Sequence, residues 1–133
     1  MADAFVCRRL DLQIASMRFH ALWNPAMAQR HKTHGNKTET GGCAAMGFWA
    51  WSGRHDSARA CRLAIEKDFG GHDVFFINLK DAVLMVPTKE AIKRVYGNVV
   101  LRRPLPDYSS ALDISKAGRL LDWEPVESWL LGV

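Results

Sequence analysis

The chain has 133 residues, 48% of them apolar and 24% charged, which is the composition of one ordinary globular domain and excludes a disordered one. Eighteen basic residues against fourteen acidic ones leave a net charge of +4 without a sustained Lys/Arg run, so the balance does not select nucleic acid as a partner. No apolar run reaches the roughly 18 residues of a membrane span, and Cys7, Cys43 and Cys61, with no C-x-x-C spacing, fit a reduced, cytoplasmic protein.

At the N-terminus, Arg8 and Arg9 come after the short apolar patch and Asp3 precedes it, the reverse of a secretory leader. Residues 2–9 read as the end of a helix with Ala2, Phe5 and Val6 on one side. Residues 12–19 alternate in part, with Leu12, Ile14 and Met17 apolar and Ser16 and Arg18 polar, and predict a strand. Asn24-Pro25 ends the short segment after that strand, because a residue before proline is pushed out of helical geometry. Residues 28–42 (AQRHKTHGNKTETGG) have almost no large apolar side chain and predict a solvated, mobile loop.

The character then changes to CAAMGFWAW. Trp49 and Trp51, one residue apart, are expected to point to the same face of a turn or edge strand. Asp56 reads as the N-cap of a helix with Ala58, Cys61, Ile65 and Phe69 inward and Arg59, Arg62 and Glu66 outward, stopped by Gly70-Gly71. Residues 73–78 (DVFFIN) predict a strand buried on both faces. Pro87-Thr88 opens a further helix, with Thr88 as cap, Ala91, Ile92 and Val95 inward, and Gly97 closing it. Residues 99–102 (VVLR) predict a short strand, after which Pro104 and Pro106 force an extended connection. Asp113 or Ser115 caps a last short helix over 116–121, ended by Trp123 and Pro125. Strands alternating with helices argue an α/β fold.

Four segments together resemble one family. Residues 16–25 (SMRFHALWNP) are similar to an "LRF…P" strand and loop, and residues 49–66 (WAWSGRHDSARACRLAIE) to "YVDVRDVARAC..ALE". Residues 70–78 (GGHDVFFIN) are similar to "G.EVFNI", and residues 113–125 (DISKAGRLLDWEP) to "D.SKAR.LLGWEP". In this order they resemble the C-terminal, substrate-binding part of the NAD-dependent epimerase/dehydratases, the extended short-chain dehydrogenase/reductases. The resemblance implies a small truncated α/β domain with one residual Rossmann-sheet strand. It divides the single domain 1–133 into a remnant of the nucleotide-binding sheet (1–27), the mobile loop (28–42) and a substrate-domain-like region (43–133).

The departures bear on chemistry. The family's cofactor lies on a glycine-rich turn, where pyrophosphate meets backbone N–H groups at a helix N-terminus. Neither G-x-G-x-x-G nor G-x-x-G-x-x-G occurs in these 133 residues. The family's catalytic Tyr is followed four residues later by Lys; here Tyr96 and Tyr108 have Val100 and Leu112 at that distance. Ser52-Gly53 replaces Val-Asp, His55 stands where Arg is common, Ala21 where many nucleotide-sugar members have Asn, and Phe76 where Asn is usual.

The resemblance implies that Arg102 and Arg103 meet a substrate diphosphate, a role that suits the planar guanidinium fork; the other reading is a solvated pair on a strand end. It places His20 and His55 near the cleft as general acid/base candidates, with a satisfied structural histidine as the other reading. Bulk packing is the first reading of Trp49 and Trp51; the alternative is the wall of an apolar substrate pocket, which Trp23 would join, or a contact surface. His31 and His34 are three apart but have no cysteine or carboxylate at ligand spacing, so no metal is expected. Cys61 reads as core. The expected function is a truncated epimerase/dehydratase-like protein, redox-incompetent alone and binding no cofactor, with a remnant substrate pocket for a small molecule. The alternatives are a repurposed cofactor-independent isomerase, cyclase or dehydratase of an apolar metabolite, using His20, His55 or Asp56, and a non-catalytic partner subunit of a full-length paralogue. A strand at 12–19 without neighbours offers unpaired edges, which implies a homodimer or association with another polypeptide. Neither nucleic acid nor membrane is an expected partner.

Overall fold

The computed structural model describes residues 1–9, 11–24, 26–27, 29–30 and 43–130. In chain order these form α1 (Ala2–Val6), β1 (Ile14–Phe19), β2 (Ala21–Trp23), α2 (Cys43–Met46), β3 (Trp51–Gly53), α3 (Arg54–Glu66), β4 (His72–Ile77), α4 (Thr88–Tyr96) and α5 (Ser115–Leu121). The expected mobile loop falls, apart from residues 29–30, outside the described residues, as do Pro25, His31 and His34. No helix among the described residues is long and apolar enough to cross a membrane.

The result is a small mixed α/β domain with two parallel two-stranded sheets. β1 pairs with β4, from Ile14 opposite His72 to Phe19 opposite Ile77, and β2 pairs with β3, from Ala21 opposite Trp51 to Trp23 opposite Gly53. Parallel neighbours need a long crossover, and the chain through β3 and α3 supplies it for β1 and β4. Ser52 stitches the two sheets. Its hydroxyl accepts the His20 N–H at 3.1 Å and donates to the Ile77 carbonyl at 2.5 Å. Beyond β4, the Leu79 N–H donates to the Trp51 carbonyl at 2.9 Å.

Alternation in β1 and β4 sends Ala15, Met17, Phe75 and Ile77 to one face, where Ala60 and Leu63 of α3 and Ala117 and Leu121 of α5 cover them together with Trp123. The rotation of α3 corrects the sequence reading. Ser57 and Ala60 are buried, whereas Cys61 is exposed and Ile65 is 83% exposed. Small side chains let the helix approach the sheet closely, so the stripe Ala58, Cys61 and Ile65 is left outside and Cys61 is not core. On that stripe the Cys61 Sγ lies 3.7 Å from the Met17 Sδ.

α4 behaves as its pattern predicts, with Ala91 and Ile92 buried, Val95 packed against them, and Gly97 ending it at φ +73°. Thr88 is its first residue rather than its cap. The Thr88 hydroxyl donates to the Ser109 carbonyl at 2.8 Å and ties α4 to the turn at 106–109. The strand expected over 99–102 does not form: this stretch is irregular and Val100 is 91% exposed. No described strand lies beside it to pair, and Pro104 removes the next backbone donor.

Trp49 and Trp51 part company. Trp49 has φ +53°, which breaks strand alternation just before β3, and packs with Ala45, Leu84 and Ile92. Trp51 packs in a separate cluster with Leu79, Val83 and Trp129. The expectation of a shared face therefore fails.

Candidate functional site

From Trp123 to Leu130 the chain runs as an irregular strap, pinned by two buried carboxylates. Asp56 Oδ2 accepts the N–H groups of Val126 and Glu127, each at 2.8 Å, and its Oδ1 accepts Arg59 Nη2 at 2.7 Å. Asp56 is 1% exposed and sits inside the first turn of α3, whose N-cap is Gly53. The reading of Asp56 as N-cap is thus corrected. Asp56 lies too deep in the turn to cap it and binds a segment 70 and 71 residues further along the chain. With both oxygens engaged, Asp56 is not placed as a free acid or base. Asp81, 7% exposed, holds the far end: its Oδ2 accepts from the Ser128 hydroxyl at 2.7 Å and the Leu130 N–H at 3.1 Å. Its Oδ1 accepts Trp51 Nε1 at 3.1 Å.

The indoles of Trp23, Trp51 and Trp129 gather, with the Trp23 centroid 5.9 Å from that of Trp51 and 6.4 Å from that of Trp129. Trp49 and Trp51 are each 2% exposed, so neither offers a wall to a ligand in this arrangement. His20 is half-buried, its ring 6.5 Å from that of Phe76 and nearly parallel to it, and burial pushes its imidazole below the ordinary value. Arg18 lies over the same Phe76 ring at 5.5 Å. His55 is exposed at the start of α3 and lines none of the three grooves described below.

A nicotinamide dinucleotide, which the resemblance brings with it, needs an open helix N-terminus after a strand. The described strand that runs straight into a helix is β3, at Gly53. That turn is filled by the strap: Glu127 Oε2 accepts the Asp56 N–H at 3.1 Å, and a Cβ on Gly53 would lie 1.8 Å from the same oxygen. The carboxylate takes the place a pyrophosphate would need, so the turn does not fit the cofactor. Among the described residues no three His, Cys, Asp or Glu converge to hold a metal ion.

Arg102 and Arg103 come to a groove of about 700 Å³ between α4 and the segment 97–105. Lys89 and Lys93 also line it, and no carboxylate does. Arg103 further borders an adjoining groove of about 310 Å³, with Ser110, Leu112, Asp113 and Ser115. Its Nη2 donates to Asp113 Oδ2 at 2.5 Å, while Asp113 Oδ1 accepts the Ser115 N–H at 3.0 Å at the start of α5. These contacts, the Ser115 N–H first and Arg103 next, hold the Asp113 carboxyl down to about 2 from an ordinary 3.8. A third groove of about 500 Å³ lies between the strap and the turn at 106–109, lined by Pro106, Tyr108, Pro125 and Val126 over Asp81.

Of the four cations that line this groove, the sequence reading singled out the two arginines and not the two lysines. Their signal is a Lys at both ends of one helical turn where an acid would give a stabilising pair. Comparison with models of known families, with curated proteins and with solved structures gave no match.

Proposed function

We propose that this chain is the substrate-binding side of an epimerase/dehydratase-like protein, holding a nucleotide sugar or a similar diphosphate ester in the basic groove and transferring no hydride by itself. One observation carries the reading. The Arg102–Arg103 pair lines a groove of about 700 Å³ that has four cationic side chains and no anionic one. That volume suits a small molecule, and guanidinium groups suit diphosphate oxygens. The missing glycine-rich turn, the missing Tyr–Lys pair and the self-filled Gly53 turn support the second half.

Titrating the isolated chain with NAD tests that half: no tight binding is expected, and tight binding would contradict it. The expected partner at β1 remains part of the proposal. Among the described residues β1 is paired on one edge only, and beside it lies the uncovered stripe of α3. A second copy adding its own β1 would satisfy both features.

A further inference from the structure

Lys89 and Lys93 lie four residues apart on α4, and both line the basic groove. Like charges at that spacing repel and weaken a helix. Lys93 stands in the last turn of α4, where a cation is favoured, but no carboxylate among the described residues pairs with either lysine. Glu90, the acid of the same turn, accepts Arg94 Nη2 at 2.6 Å instead. Neither lysine has an ion pair among the described residues. Arg102 and Arg103 lie on the irregular segment that precedes Pro104, so their cations line the groove from a separate element.

We propose that the groove has two anion subsites, Lys89/Lys93 on α4 and Arg102/Arg103 on the irregular segment. Its ligand is then a small molecule with two separated anionic groups. The arginine forks take the diphosphate, and the lysines, as point charges, take a carboxylate or second phosphate at the other end of the molecule. This rests on the proposed function for the arginine end only. The lysine subsite adds a specificity for acidic over neutral sugars.

The test uses the full chain, labelled for amide NMR and titrated first with inorganic pyrophosphate, then with UDP-glucose and UDP-glucuronate, which differ by one carboxylate. Saturable shifts are expected in two sets, one at residues 89–94 and one at 101–103. Lys89→Gln/Lys93→Gln should remove the first set alone, and the spectrum itself reports that the variant is folded. UDP-glucuronate should bind roughly three- to tenfold more tightly than UDP-glucose, with the advantage lost in the double variant. Shifts at 101–103 alone, with equal affinities, would overturn the lysine subsite and leave the proposed function standing. Shifts confined to 89–94, or none at all, would overturn both.

Discussion

The Arg103 guanidinium and the Asp113 carboxylate form an ion pair at the boundary between two grooves, with Nη2 and Oδ2 2.5 Å apart. Asp113 in turn receives the Ser115 N–H that begins α5. One arginine thus borders the proposed ligand and a helix start together.

The Ser115 N–H first, and Arg103 next, give Asp113 a pH dependence. The Asp113 carboxyl is held near 2, below its ordinary 3.8, so its contribution is complete above about 3.8 and is lost as pH falls toward 2. Arg103→Gln should raise the Asp113 titration while leaving it below the ordinary value, because the Ser115 N–H remains. A bound diphosphate that draws Arg103 away should move it in the same direction. Carboxyl carbon NMR titration of wild type and variant reads both shifts.

Asp56→Ala should cost far more than the roughly 1 kcal/mol of a lost helix cap. It strips acceptors from Val126, Glu127 and Arg59 together and frees the strap. A loss of about 3 kcal/mol is expected, as for a broken buried charge pair. Urea unfolding at unchanged slope measures it, and a loss near 1 kcal/mol would show that the strap holds without Asp56.

Trp51→Phe keeps an aromatic ring but leaves Asp81 Oδ1 without its indole donor. A cost of about 2 kcal/mol is expected from the unmatched buried acceptor, with some further loss from packing. Trp51→His, whose ring retains an N–H, would test whether the hydrogen bond or the bulk dominates. Thermal unfolding of the two variants side by side makes the comparison.

The exposed stripe of α3 beside β1 gives a prediction about association. Wild type should elute as a dimer and Ile65→Glu as a folded monomer, because Ile65 is 83% exposed within one copy. Light scattering after size exclusion distinguishes the two, and a monomeric wild type would remove the β1 interface.

Much of the fold was legible because local pattern and tertiary environment agreed. In α4 the apolar spacing of Ala91, Ile92 and Val95 and the stop at Gly97 all match what is buried. β4 was placed within one residue because Phe75 and Ile77 dominate its run. The α3 face was misread because its inner side is made of Asp56, Ser57 and Ala60, small or polar residues that become core only through the distant strap. Trp49 was misread because a positive φ next to a strand leaves no trace in alternation. At the basic groove, the adjacent arginines stand out in the sequence, whereas the lysines join them only where α4 meets the segment after Gly97.

The most direct measurement is isothermal titration of UDP-glucose into wild type and Arg102→Gln at low and moderate salt. Saturable binding to wild type, weakened about tenfold or more in the variant and by added salt, is the expected result. No binding to wild type, or equal binding by both proteins, would contradict the assignment of the basic groove as the ligand site.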